Sequence, residues 1–308
     1  MADGSRRVHG SRPRSTTASF ATSVGTRSKS PADSVWTPPV FRWAGSKRRL
    51  IPILAGLSPE QFRRYYEPFA GSACLFFAIR PHRAVIGDVN RDLMQAYEML
   101  LKHPRSLARA AQALGASGED YYAIRRIDPQ TLDPIDKAAR FVYLNRHCFN
   151  GLYRTDRLGR FNVPRGSNMG SLPSEGHFYR CHVALRSAEL RTLDYAETIA
   201  DAGEGDFVYM DPPYKTTRRN HGEYGYGVFS VLDLARFAND AQELRARGAS
   251  VMISYAEDTR LLRMLPGWTR KTVLVWRGMA GSPARRTVAR EMILISNAPV
   301  QVRRKAIL

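Results

Sequence analysis

Residues 205–216 read GDFVYMDPPYKT. The apolar run Phe207–Met210 has the composition of a buried strand. Two prolines then end it, because proline has no N–H to give to a ladder. Asp211 and Tyr214 are therefore expected at the exposed carboxyl end of that strand, on a stiff turn. A carboxylate and the neighbouring carbonyl of Pro212, both held still, make two preorganised hydrogen-bond acceptors. Tyr214 adds a flat face on which a planar group can stack.

Two further stretches carry chemistry. In YYEPFAGSACLFFAIR, Gly71 opens a helix directly after a strand, where a backbone approaches a ligand closely. Asp88 follows at about the spacing at which an acid captures ribose hydroxyls. Ala73 stands where a second glycine is expected, and its methyl is expected to weaken ligand affinity without abolishing it. FRWAGSKRRL, Phe41–Leu50, places Trp43, a glycine and Lys47 ahead of a helix. A ring, a close approach and a cation suit an amino-acid-like carboxylate.

The elements that must position these residues alternate. Lys47–Leu57 has helical spacing with Ser46 as N-cap. A strand, the Gly71 turn and a helix follow, then a short strand ending at Asp88 and a helix over Arg91–Lys102. Helical patterns continue to Phe141–Asn145, broken at Gly115–Gly118 and at the prolines at 129 and 134. From Arg146 to Ser187 periodicity is lost. Strands return at Glu189–Leu193, Asp206–Met210, Ser250–Ser254, Thr272–Val275 and Glu291–Ile295, with helices at Leu232–Arg247 and Asp258–Leu265. This order predicts a doubly wound α/β domain with an insertion. Ligands of such sheets bind beyond the carboxyl ends of the strands. Gly71, Asp88, Asp194 and Asp211 each follow a strand, so the four are expected to converge on one crevice.

Six motifs occur in this order: RWAGSK, YEPFAGSACLFF, GDVNRDLMQAY, FVYLNRHCFNGLYRTDRLGRFNVPRG, FVYMDPPY and REMILISN. Together they closely resemble the Dam-type DNA adenine-N6 methyltransferases, over about Phe41 to Asn297. The resemblance implies a mostly parallel, seven-stranded, Rossmann-like methyltransferase sheet, with S-adenosylmethionine as cofactor. It puts Trp43, Lys47, Asp88 and Asp211 among the cofactor contacts, with Lys47 facing the methionine carboxylate and Asp88 the ribose. Phe69 and Gly71 would line the pocket, and Asp194 would accept from the cofactor's adenine amino group. Ala73 departs from the family's usual glycine.

The resemblance also gives DPPY a task. An adenine amino group is a poor nucleophile because its lone pair is delocalised into the ring. Asp211 and the Pro212 carbonyl, accepting both of its hydrogens, would localise that pair. Tyr214 would stack on the extruded base, and the methyl would pass directly to nitrogen, so orientation carries much of the rate. Methylation of a cytosine carbon needs a thiolate instead, found after proline in that family; Cys74, Cys148 and Cys181 follow other residues.

Arg140–Arg186 carries eight Arg against Asp156 and Glu175, interleaved with Tyr and Phe. Such a mixture suits DNA that must surrender a base. By resemblance, Phe149 and Asn150 lie near the extruded base, Leu152 and Pro164 against base edges, and Arg154 on a guanine. Arg42 stands where the family has a base-contacting Lys. The implied target is adenine in GATC. Methylation of adenine in RNA, and DNA binding without catalysis on the same fold, stay open as alternatives.

A net charge of +19 over 308 residues favours a polyanionic partner, here double-stranded DNA. No apolar run is long enough to span a bilayer, so no membrane association is expected. The three scattered cysteines form neither a disulfide framework nor a metal site and fit a reducing compartment. The expectation is a cytoplasmic, bacterial or phage-encoded monomer that reaches the nucleoid through DNA, without a metal; a cognate restriction endonuclease is an admissible partner. Residues 1–35, with six Arg or Lys and almost no large apolar side chains, read as a disordered basic tail. Residues 36–102 and 188–300 read as the cofactor-binding catalytic domain, and 103–187 as the DNA-recognition domain.

Overall fold

Seven strands form one sheet in the order β3-β2-β1-β4-β5-β7-β6 in a computed structural model that describes Met1 and residues 36–116, 121–167, 171–213, 230–278 and 286–296. They are β1 (Tyr65–Glu67), β2 (Ala84–Gly87), β3 (Ala188–Arg191), β4 (Phe207–Met210), β5 (Ser250–Ala256), β6 (Thr269–Gly278) and β7 (Arg286–Ile295). The first five run parallel to one another; β7 is antiparallel to β5 and to β6. Every residue of β1, β2 and β4 is buried. That is why these strands read as continuous apolar runs: a parallel sheet is covered on both faces.

Side chains alternate between those faces. Phe207 and Tyr209 join one buried cluster, Val208 and Met210 the other. The first face is covered by α1 (Ile51–Leu57), α2 (Cys74–Ile79), α3 (Arg91–Lys102), α4 (Pro104–Ala116), α6 (Pro134–His147) and α7 (Glu175–Leu185). The second is covered by α8 (Tyr195–Thr198), α9 (Val231–Ala246) and α10 (Thr259–Met264). A short α5 (Tyr121–Arg126) joins Tyr143, Leu144, Cys148 and Val163 in a small satellite cluster. Leu107, Ala111, Phe141 and Phe178, all between residues 103 and 187, share the core of the sheet.

Three expectations change. The stretch from Arg146 to Ser187 is not irregular throughout, because α7 occupies Glu175–Leu185 and buries Phe178, Cys181 and Leu185 on one side. That apolar face is narrow, and exposed Tyr179, Arg180 and Val183 on the other side blur its period. The helix from Lys47 begins as a 3-10 turn, Lys47–Leu50, and the Ser46 side chain does not cap it. The Ser46 hydroxyl instead meets Cys74 Sγ at 3.0 Å and Ser72 Oγ at 3.1 Å. β6 and β7 extend beyond the expected spans, since each supplies the other's ladder partners along ten residues.

Candidate active site

Strand order reverses between β1 and β4: from there the chain runs outward to β2 and β3 on one side and to β5 on the other. At such a switch point the connections leave in opposite directions and a crevice opens at the carboxyl ends. A cavity of about 320 Å³ lies there. Trp43, Lys47, Phe69, Gly71, Asp88, Asp194, Asp211 and Pro212 all line it, so the residues expected to converge do so. Tyr214 lies outside the described residues.

Asp211 follows β4 directly. Its carboxylate accepts from Lys47 Nζ, 2.8 Å from Oδ2 and 2.7 Å from Oδ1, and from Ser254 Oγ at 2.9 Å. Burial raises the Asp211 carboxyl above the usual range, against the pull of Lys47 and Ser254. Lys47 Nζ also donates to the carbonyl of Gly45 at 3.0 Å. Glu67, at the end of β1, accepts from Tyr65 OH at 2.8 Å and from the N–H of Phe76. Burial pushes its carboxyl up to about 8.

On the other side of the cavity, the backbone N–H groups of Gly71 and Asn90 donate to Asp88 at 3.0 and 2.9 Å. Burial outweighs both and lifts the Asp88 carboxyl to about 6. Gly71 has φ +45°, and a Cβ there would lie 2.5 Å from Trp43 Cδ1. Only glycine lets the indole lie against this turn. Tyr97 OH fixes the same turn by donating to the Gly71 carbonyl. Asn90 caps α3 through Oδ1, while its buried Nδ2, at the cavity wall, has no hydrogen-bond partner among the described residues. An orphaned buried donor is costly, and a ligand bringing an acceptor would offset that cost.

Asp194 caps α8 in a capping box and accepts from Arg236 at 2.7 Å. Phe69 stacks on Tyr195 with centroids 5.0 Å apart, and Arg236 covers the other ring. Ala73 departs from expectation. It is left-handed at φ 49°, yet its methyl is buried in the core and does not line the cavity. The strain is in the backbone and not in the pocket.

The model of the D12 class N6 adenine-specific DNA methyltransferases matches residues 43–272, which span both sides of this cavity. This chain belongs to that family. It is 30% identical to the type II methyltransferase M1.LlaDCHI of Lactococcus lactis subsp. cremoris, over 70% of this chain and 80% of the relative. With the DNA adenine methylase of Vibrio cholerae (strain O395) it shares 30% identity over 83% of this chain and 94% of the relative. With that of Escherichia coli K12 it shares 31%, over 72% and 82%. The protein is thus an adenine-specific DNA methyltransferase that moves a methyl group from a donor to N6 of adenine in DNA.

A second cavity, of about 400 Å³, adjoins the first through Trp43, Ser46 and Cys74. Arg42, Phe149 and Asn150 line it together with Arg48 and Arg146. Burial, with Arg42 and Arg48 close by, pushes Arg146 down to about 10. A cavity walled by guanidinium groups suits a polyanion such as the methyltransferase's DNA. The loop at its edge is anchored from below. Asn145 accepts from the Arg42 N–H at 2.7 Å and donates to the Arg42 carbonyl at 2.6 Å. Gly151, at φ +65°, packs where a Cβ would meet Arg42 Cβ at 2.7 Å.

Leu152, Arg154 and Pro164 are not in the second cavity. Leu152 packs on the satellite cluster, and Arg154 and Pro164 are exposed on the same loop. Arg154 is steered by Asn162, whose Oδ1 accepts at 2.7 Å. Between them Thr155 pairs with Phe161 across a turn in which Asp156 accepts from the Leu158 and Arg160 N–H groups.

Asn90, Arg236 and Glu67 also line the first cavity, and Ser254 touches it through Asp211; none of the four is legible in the sequence as a site residue. Asn90 had one signal, its place before a helical pattern. The other three reach the site through strand register and helix packing. Among the described residues no helix is long and apolar enough to cross a membrane.

Proposed function

We propose that the methyl donor is S-adenosylmethionine, bound in the 320 Å³ cavity, and that the acceptor is an adenine turned out of duplex DNA. The observation that carries this reading is the shared cavity: Asp88 and Asp211, from strands on either side of the switch point, face one space. The residues fit the cofactor. Asp88 can accept from ribose hydroxyls, Asp194 from an adenine amino group, and the orphaned Asn90 Nδ2 can donate to a ligand acceptor. Phe69 and Trp43 supply apolar wall. Bound there, the cofactor supplies an electrophilic sulfonium methyl.

The chain's own residues do the rest. Asp211 and the Pro212 carbonyl accept the two N6 hydrogens and localise the nitrogen lone pair toward the methyl. N6 would form the new carbon–nitrogen bond as the methyl's bond to the donor sulfur breaks, with that electron pair left on sulfur, and one N6 proton would pass to an acceptor at Asp211. Tyr214 stacks on the everted base. Lys47, which the resemblance aims at the methionine carboxylate, also favours the ionised form of Asp211 against the pull of burial.

Residues 103–187 form the DNA-recognition unit of this reading, with Phe149 and Asn150 at the vacated stack and Arg42, Leu152, Arg154 and Pro164 toward base edges. Residues 36–102 and 188–300 form the catalytic unit. The target is GATC, supported by the resemblance of the loop around Asn150 and Arg154 to that of Dam-type enzymes. The protein works as a cytoplasmic monomer, with a cognate nuclease as a partner if it serves in restriction–modification.

The test is protection of a GATC plasmid from a methylation-sensitive nuclease after incubation with protein and S-adenosylmethionine, with methylome sequencing of expressing cells. Protection confined to GATC is expected. Methylated single-stranded RNA beside an unprotected plasmid overturns the duplex-DNA reading; methylation at another sequence overturns GATC.

A further inference from the structure

β5 is longer than β4. Met210, the last residue of β4, is paired with Ile253, and β5 continues to Ala256. The register therefore sets Ser254 beside Asp211, just where β4 gives way to the proline turn. Ser254 is fully buried. Its Oγ is 2.9 Å from Asp211 Oδ1 and 2.8 Å from Tyr209 OH. An ionised carboxylate only accepts, so the single Ser254 hydrogen goes to Asp211, and Tyr209 OH donates to Ser254. The result is a one-way chain of hydroxyls ending on the acid.

We propose that Ser254 is the positioning residue of the methyl-transfer reaction: its hydroxyl sets the orientation of the Asp211 carboxylate toward the adenine amino group. This rests on the reading of Asp211 given above. Lys47 alone cannot set that orientation, because an ammonium group is a point charge that lies close to both carboxylate oxygens. Ser254 donates to Oδ1 along a fixed direction from a rigid strand. The hydrogen bond to a charged acceptor is also of the stronger kind. Other charged or titratable groups act on Asp211 from the neighbouring elements, Lys47 from the 3-10 turn, Glu67 from β1 and Glu291 from β7, while Tyr209 of β4 reaches Ser254. Lys47 and Ser254 both stabilise the ionised acid by direct hydrogen bonds.

Single-turnover methylation of GATC duplex by Ser254→Ala, Ser254→Thr and Asp211→Ala enzymes tests this, with donor and DNA affinities measured by calorimetry. For Ser254→Ala the transfer rate is expected to fall roughly 10- to 100-fold, the worth of a hydrogen bond to a charged group. Both affinities should stay within about twofold. The acid limb of its pH–rate profile should move to higher pH, because the ionised acid loses a donor. Ser254→Thr keeps the hydroxyl and should recover most of the rate.

If losing the Tyr209–Ser254 hydrogen bond in Ser254→Ala prevents folding, the double variant Ser254→Ala with Tyr209→Phe removes both hydroxyls of that bond together. It should show the same loss of rate. Wild-type transfer by Ser254→Ala or the double variant, or a loss that appears equally in donor affinity, overturns the inference. Retained turnover in Asp211→Ala instead overturns the role of Asp211 itself. An inactive Asp211→Ala beside a full-rate Ser254→Ala sinks the positioning role alone.

Discussion

Lys47 and Asp211, 164 residues apart in the chain, form an ion pair of 2.7 Å at the mouth of the sheet's switch point. The ammonium group is almost fully buried, while the carboxylate keeps 20% of its side-chain surface exposed. Burial favours the neutral acid and Lys47 favours the anion. In the role proposed for it, Asp211 accepts N6 hydrogens as the anion, which would tie the pair to the reaction's pH dependence.

Lys47→Met is expected to move the acid limb of methyl transfer upward. Without the cation, burial of Asp211 is opposed only in part, by the Ser254 hydrogen bond, and the acid ionises at higher pH. Transfer should fall more steeply, relative to the unaltered enzyme, at about pH 6 than at about pH 9. Rates across that range check it, with saturating donor to separate binding.

Donor affinity should track Asp88. With its carboxyl at about 6 in the free protein, a ligand that donates to the ionised form binds about tenfold more weakly near pH 5 than near pH 7. Binding near pH 6 should release a fraction of a proton, seen by calorimetry in buffers of different ionisation heat. Asp88→Asn removes both effects. The same shift has a stability consequence of opposite sense. The folded protein holds this proton more tightly than the unfolded chain, so its contribution is present at low pH and is lost as pH rises through about 6.

Gly71 and Ala73 both have left-handed backbones, two residues apart, and should respond differently. Gly71→Ala meets Trp43 at 2.5 Å and should weaken donor binding by roughly tenfold or more while lowering stability by ~1–3 kcal/mol. Ala73→Gly relieves ~1–2 kcal/mol of left-handed strain. It loses ~0.8 kcal/mol of methyl burial and ~0.4–1 kcal/mol through unfolded-chain entropy. These nearly cancel, so Tm should hardly change, and donor affinity should be unaltered because the methyl is outside the cavity. Thermal melts with calorimetry check both.

Arg154→Ala should relax discrimination at one base pair by ~1–3 kcal/mol. Asn162→Ala should do the same to a lesser degree, since Asn162 Oδ1 steers the Arg154 guanidinium. Methylation of a duplex library with each base of the site varied checks this. An unchanged pattern in Arg154→Ala removes it from sequence readout.

Much of this protein was legible before any coordinates. Buried strands announce themselves as apolar runs, and the turn residues after them, Gly71, Asp88 and Asp211, are chemically distinctive because ligands meet backbone there. The alternation of strands and helices carried the doubly wound fold, and the ordered motifs carried the family. What stayed hidden depends on neighbours far apart in the chain. Ser254 is an ordinary strand serine until the β4–β5 register puts it beside Asp211. Arg236 is one more helical arginine until α9 packs it over Tyr195 and Asp194. The pairing of Lys47 with Asp211 and the direction of the Ala73 methyl were equally out of reach. Local composition encodes which elements form and where a chain can turn. Which side chains then share a hydrogen bond is decided by register and packing, which bring together residues that carry no mark of each other in the sequence.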